Sequence, residues 1–333
     1  ERQLEGKAGA VVALDPRNGE ILALVSSPGY DPNLFTRRLE VAEWQQLIQD
    51  PLLPLQNRAL ASAYPPGSVF KMVMASAGLA EGVITPADGI FCNGAKVFYK
   101  RAFHCWKAGG HGFMNLEAAL KNSCDVYFYT LGQKLGIERI ARYARLFDFG
   151  SPTGIDLDGE VNGLLPSTAW KKKAYKKAEQ QRWYAGETIS LGIGQGYNSF
   201  TMLQLASATA TLVAGGPRFE PRLVREIEAS VKGTKSRPDA QALPPLPFDP
   251  EHVALIKRAL YGVTQEGTSV RSFISAPYKS GGKTGTAQAI GIKANEKYNA
   301  SKIDEYQRDH SLYMAFAPLD VPTIALAVVV ENA

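Results

Sequence analysis

Cysteine and histidine are scarce in this chain of 333 residues, with three of the first and four of the second. An odd number of thiols cannot all be paired within one chain. Long apolar stretches are missing as well. The longest, Ile324 to Val330, falls far short of the roughly 20 residues a helix needs to cross a bilayer. No charged-then-apolar signal opens the chain, and no internal repeat of fixed period runs through it. Charge of one sign is not dominant either: 37 Lys and Arg against 32 Asp and Glu leave a net charge of +5. The one local concentration, Lys171, Lys172, Lys173, Lys176 and Lys177, reads as a solvated helix face, with an anionic surface as the alternative partner. Zinc-finger, RNA-recognition and helix-turn-helix patterns are absent, so nucleic acid is not the expected partner.

What remains is a globular composition, 45% hydrophobic and 21% charged, long enough for one large or two modest domains. Its chemistry gathers around Tyr64-Pro65-Pro66-Gly67-Ser68-Val69-Phe70-Lys71. Two prolines and a glycine end in a run from Val69 to Leu79 that favours helix, which puts Ser68 at a helix N-terminus. Lys71 follows three residues later, and residues so spaced are neighbours on a helix surface. An amine there can act as base toward a hydroxyl that is otherwise a poor nucleophile. Free backbone N–H groups at the same terminus suit a developing oxyanion.

Along the rest of the chain, Ala10 to Asp15 and Ile21 to Val25 flank an Asn-Gly turn and predict a hairpin. Three-and-four spacing predicts helices over Leu116 to Leu135, Glu138 to Phe147, Thr201 to Val213 and Pro250 to Gln265, with a further helical stretch near Val41 to Gln49. Gly282 to Ala287, Leu312 to Ala317 and Thr323 to Val330 return to β character. Strands at both ends with helices between them predict one sheet closed by the two termini, with 60–265 as an inserted, mainly helical lobe. The prolines between Pro238 and Pro250 read as a surface strap. Asp148-Phe149-Gly150 reads as a helix end, and Gly192-x-Gly194-x-Gly196 lacks the context of a dinucleotide site.

Two further clusters join the serine. Ser123-Cys124-Asp125 falls on the helix expected from Leu116, and Lys283-Thr284-Gly285-Thr286 on a C-terminal strand. Ser-x-x-Lys, Ser-x-Asp/Asn and Lys-Thr-Gly in this order form the motif set of β-lactamases and penicillin-binding proteins. Ser123 can relay a proton between Lys71 or Lys283 and a leaving amine. Lys283 would supply fixed positive charge for a substrate carboxylate, and Gly285 would let the substrate lie close to the strand. The N–H groups of Ser68 and Thr286 would form the oxyanion hole. Strand alternation sets Lys283 and Gly285 against Thr284 and Thr286 and leaves open which hydroxyl meets the ligand.

From Ala10-Val-Val-Ala-Leu-Asp-Pro through the Ser68 turn and Leu191-Gly-Ile-Gly-Gln-Gly-Tyr197 to Lys283-Thr-Gly-Thr and His310 to Pro318, the chain resembles the transpeptidase domain of class B penicillin-binding proteins, in particular the elongation-type penicillin-binding protein 2 of Gram-negative bacteria. Asp125 departs from the Asn of the wider superfamily. The resemblance implies an α+β fold with a five-stranded antiparallel sheet, flanking helices and a helical subdomain. It implies that 1–333 is one transpeptidase domain, its sheet formed by 8–27 and 279–331, with a membrane anchor and pedestal outside this sequence. It implies a periplasmic D,D-transpeptidase in which Ser68 attacks the D-Ala-D-Ala end of peptidoglycan stem peptides and is acylated by β-lactams. A RodA-type glycosyltransferase and MreC are the partners it suggests. A D,D-carboxypeptidase, a β-lactamase and a non-catalytic penicillin-binding sensor or scaffold remain as alternatives. Cys92, Cys105 and Cys124 lie close in sequence to His104 and His111. They fit either a structural zinc held by Cys92, Cys105, His111 and Cys124, or a Cys92 to Cys105 disulfide with Cys124 buried. Similar penicillin-binding proteins carry metal ligands at these four positions, with His104 and Asp88 as spare candidates.

Overall fold

The computed structural model describes residues 1–230, 233–289 and 303–333. Within the stretch 279–331 expected to carry the C-terminal strands, 290–302 lie outside the described residues. The N-terminal hairpin forms as β1 (Gly9–Leu14) and β2 (Ile21–Ser27). Small hairpin strands follow at β3 (Ile90–Cys92), β4 (Ala95–Phe98), β5 (Arg101–His104) and β6 (Gly112–Met114). The sheet is completed by β7 (Gly281–Ala287), β8 (His310–Ala317) and β9 (Ile324–Val330). Its order is β7-β8-β9-β1-β2, antiparallel throughout, so the two ends of the chain pair at its centre, with Gly9 opposite Val330. In β9 every second side chain, Ala325, Ala327 and Val329, is fully buried, the period a half-buried strand demands.

The helices used below are α1 (Val41–Gln49), α2 (Lys71–Ala80), α3 (Leu116–Lys121), α4 (Asp125–Leu146), α5 (Thr168–Ala174), α6 (Ala185–Leu191), α7 (Met202–Val213) and α8 (Pro250–Gln265). Helix α7 packs on β1, β8 and β9, and α8 on β7 and α3. Helix α2, apolar but for Lys71 and Ser76, packs on α4 and α8 and is buried on every side from Lys71 to Leu79. No helix among the described residues is long and apolar enough to cross a membrane.

Two expectations change. The single helix expected over Leu116 to Leu135 is broken at 122–124, where Ser123 takes a left-handed φ of 53° and Cys124 is extended. The apolar period carries across the break because α3 and α4 both face the core, so periodicity alone does not reveal it. Helix α4 then runs through the expected start of the next helix with only a kink at Gly136, whose φ is 75°. In the lysine run, Lys171 is not a solvated residue. It is buried, pairs with Glu187 and lies within 5.3–5.6 Å of the rings of Trp183, Tyr184 and Tyr197. Asp148-Phe149-Gly150 does follow a helix end, with Asp148 held by Arg218 at 2.6 Å.

The Ser68 turn rests on an aromatic cluster. Phe200 lies 4.2 Å from the ring of Phe149 and 6.0 Å from that of Phe70, and all three are buried. Phe200 also exchanges both backbone hydrogen bonds with Tyr64, each 2.9 Å, at the entry to the turn. Truncation should empty this cluster: Phe200→Ala is expected to lower the unfolding free energy by about 3–5 kcal/mol, read by urea denaturation. A loss below about 1 kcal/mol would show that the turn is supported from elsewhere.

Candidate active site

Gly67 opens the nucleophile turn with φ +52°, and a Cβ on it would collide with the carbonyl oxygen of Thr286. Only glycine permits that backbone shape and that approach together. Ser68 sits in the short turn Gly67–Phe70, one step before α2 begins at Lys71. It opens onto a cavity of about 470 Å³, which Ser123, Asp125, Thr284, Gly285 and Thr286 also line. The far wall includes Trp106, Ile193, Gln195 and Thr268. A larger groove of about 780 Å³ runs elsewhere, past Arg17, Lys257 and Val321, and none of the sequence-derived site residues lines it.

The Lys71 ammonium is fully buried and uses all three of its donors on the break between α3 and α4. It donates to the Ser123 carbonyl at 2.9 Å, to Ser123 Oγ at 3.1 Å and to Asp125 Oδ1 at 2.6 Å. The ring of Phe128 lies 5.5 Å away. Asp125 Oδ2 accepts from the backbone N–H of Trp106 at 2.9 Å, so one carboxylate joins the lysine to the loop that carries Cys105. The left-handed backbone at Ser123 is what turns its carbonyl and its hydroxyl onto the same amine.

Two roles read from the sequence are corrected here. Lys283 does not face the cavity as a fixed cation. It is fully buried, its Nζ donates to the Thr284 carbonyl at 3.0 Å, and burial, then the nearby Lys71, push its pKa well below that of an ordinary lysine. Threonines 284 and 286 line the cavity instead, Thr284 Oγ1 lying 2.8 Å from Thr268 Oγ1. Gly285 lacks a side chain for packing, not for a substrate. A Cβ there would press on Val69 Cγ1 at 2.9 Å and the Pro66 carbonyl at 3.1 Å, which seats β7 against the nucleophile turn.

The sequence marks 192–196 only as a glycine-rich stretch without a dinucleotide-site context, and Gln195 carries no signal of its own there. The Gly194 carbonyl accepts from Gly67 N–H at 3.0 Å, and Gln195 Nε2 donates to the Thr286 carbonyl at 2.9 Å. This loop therefore ties the nucleophile turn to β7. Its only signal in the sequence was the pair of glycines around a glutamine.

Beside the cavity, Cys92, Cys105, His111 and Cys124 bring their ligand atoms within 4.8 Å of one another, and all three thiols are free. His111 Nδ1 stands 3.7 Å from Cys92 Sγ and 3.5 Å from Cys105 Sγ. A hydrogen bond from the Cys124 thiol draws the Cys105 thiol down to about 5, and the same contact, with burial, pushes Cys124 up. His104 and Asp88 stand apart: the His104 carbonyl accepts from Tyr129, and Asp88 caps the N–H of Thr85.

Residues 9–333 match the family described as the penicillin binding protein transpeptidase domain. The chain belongs to this family. It is 41% identical over 339 residues to peptidoglycan D,D-transpeptidase MrdA of Escherichia coli K12, covering 100% of this chain and 52% of that protein. The MrdA of Salmonella typhimurium LT2 is 39% identical over 340 residues, covering 100% and 53%. The chain thus spans about half the length of the curated relatives it matches. Among solved structures, Pseudomonas aeruginosa PBP2 in complex with WCK 5153 superposes with a TM-score of 0.87 at 37% identity, covering 100% of this chain and 71% of that one. Helicobacter pylori PBP2 in complex with MreC gives 0.85 at 30% identity, covering 99% and 57%. The five-stranded antiparallel sheet with its helices is the transpeptidase fold of these proteins.

Within this transpeptidase site, Asp125 is the counter-charge of a buried ammonium. Asp125→Ala should cost about 3–5 kcal/mol in denaturant unfolding, the usual penalty of stranding a buried ion, while Asp125→Asn, which still offers an oxygen, should cost clearly less. Equal losses in the two variants would show that the retained oxygen does not help and that the charge itself is what the site requires, and a loss below about 1 kcal/mol in Asp125→Ala would show that Lys71 does not depend on Asp125.

Proposed function

We propose that this domain is the catalytic part of a serine D,D-transpeptidase that cross-links peptidoglycan stem peptides during cell-wall elongation, in the periplasm and as part of an inner-membrane-anchored protein. The observation that carries the reading is the Lys71 ammonium gripping Ser123 and Asp125 beside a cavity that Ser68 also lines. Ser68 Oγ attacks the carbonyl of the penultimate D-Ala and forms the acyl–oxygen bond. For this step Lys71 is a neutral amine: it takes the Ser68 proton and passes one to Ser123, whose hydroxyl proton goes to the nitrogen of the terminal D-Ala, so that the C–N bond breaks, the amine leaves and Lys71 is neutral again. The N–H groups of Ser68 and Thr286 hold the oxyanion. An amine from a neighbouring stem peptide then takes the acyl group, returning a proton to Ser68 by the reverse path. Thr284 and Thr286, which line the cavity, would receive the terminal carboxylate.

β-Lactams imitate the D-Ala-D-Ala end and would acylate the same serine. A RodA-type glycosyltransferase and MreC are proposed as partners. In support, Helicobacter pylori PBP2 forms a complex with MreC, and a peptidoglycan synthase complex that couples polymerization and crosslinking contains a chain 34% identical to this one.

A structural zinc is part of the proposal. With bonds of about 2.3 Å to sulfur and about 2.0 Å to nitrogen, a tetrahedral site has sulfur–nitrogen edges near 3.5 Å, which the 3.5 and 3.7 Å separations at His111 Nδ1 match. Cys92, Cys105, His111 and Cys124 would hold the ion, and it would tie the loops around β3 to β6 to the break that carries Ser123. No chemical step needs it.

Benzylpenicillin should leave an adduct on Ser68, located by mass spectrometry of the digested protein, and Ser68→Ala should take none. A D-Ala-D-Ala-type thioester should turn over with wild type and not with Ser68→Ala, and an added amine acceptor should appear in the product. Hydrolysis alone would mark a carboxypeptidase, rapid loss of the penicillin label a β-lactamase, and acylation without thioester turnover a sensor. Elemental analysis should find about one zinc per chain, with Cys92→Ser and His111→Ala lowering both the content and the melting temperature. A mere trace in the wild type would rule the metal out.

A further inference from the structure

Strand β7 is an edge of the sheet, paired among the described residues with β8 alone. An edge strand presents unpaired N–H and C=O groups on its open side. Thr286 is such a residue, because its carbonyl faces Gly67 and Gln195 rather than β8. In an antiparallel pair, one residue offers its N–H and its C=O on the same side, and a residue bonded opposite returns both. A peptide whose scissile carbonyl sits on the Thr286 N–H therefore directs the N–H of that same residue at the Thr286 C=O. That oxygen already accepts from Gln195 Nε2 at 2.9 Å, and the Gly67 backbone stands close against it, so a further donor has to share the oxygen with Gln195 in little space.

We propose that the Gln195 carboxamide is a specificity-determining group that competes with a ligand's amide N–H for the Thr286 carbonyl. The proposal rests on the transpeptidase reading above. The perch of Gln195 is fixed, so the side chain is what has to yield. Its own N–H donates to the Ser190 carbonyl at 3.1 Å, and Gly194 lies against Gly67 with no room for a Cβ. Two residues on, Tyr197 donates to Glu187 at 2.9 Å, and Glu187 is paired with the buried Lys171. A ligand that brings an N–H to this position must displace Gln195, whereas one without it can leave the carboxamide in place.

The test compares acylation rate constants for benzylpenicillin, which carries an acylamino N–H, and for a 6-amidinopenicillin, whose nitrogen at that position carries no hydrogen. Removing the competitor in Gln195→Ala, or replacing it by an acceptor-only carboxylate in Gln195→Glu, should raise the acylamino-to-amidino rate ratio by about three- to tenfold, the worth of one hydrogen bond. The nearly isosteric Gln195→Glu carries the test by itself should Gln195→Ala melt early. A ratio that falls or stays within twofold overturns the inference. Equal slowing of both reactions is one such result, and would make Gln195 a brace on β7. A wild type that takes neither penicillin would instead sink the transpeptidase reading.

Discussion

One fully buried ammonium, that of Lys71, governs how this site is put together. Lys71 enters the core on a helix that has no exposed side, and a charge so placed has to be met by oxygens that the fold supplies. Those oxygens come from Ser123 in the break between α3 and α4 and from Asp125 at the first position of α4, and a regular continuous helix would spend the Ser123 carbonyl on itself. The break is the structural answer to the lysine. Once it exists, Asp125 has a second oxygen to spend, and it reaches the backbone of Trp106. Through that bond the Cys/His cluster and the catalytic serine pair become parts of one arrangement.

Much of this was legible from residues. The Pro-Pro-Gly that precedes Ser68, the three-residue step to Lys71 and the apolar alternation near both ends were enough to place the Ser68 turn before a helix and to find the sheet. The clustering of three cysteines and His111 in a short window also anticipated their convergence. The misses share a cause. Burial decides whether a lysine is a cation for a ligand or for the protein, and burial is a property of packing between distant segments. Nothing local distinguishes Lys283, sealed behind its strand, or Lys171, roofed by three aromatic rings, from solvated lysines. Likewise Gly285 is read from sequence as clearance for a ligand, when what approaches it is Val69 and Pro66. The helix break hid because an apolar period counts faces and not hydrogen bonds.

Three segments far apart in sequence meet at the nucleophile: the turn at Gly67, the loop at Gly194 and β7 at Thr286. Each contact uses the main chain on at least one side. The geometry is thereby insulated from rotamer choice, and the serine hydroxyl is aimed by peptide planes. Behind it, Phe70, Phe149 and Phe200 give the turn a floor that cannot be compressed.

That construction limits how such a site can change under selection. A Cβ on Gly194 would collide with the Gly67 carbonyl and one on Gly67 with the Thr286 carbonyl, so any heavier residue at either position would force these segments apart, and Ser68 with them. Change that spares these contacts is left to other lining positions, such as Trp106, Ile193 and Thr268.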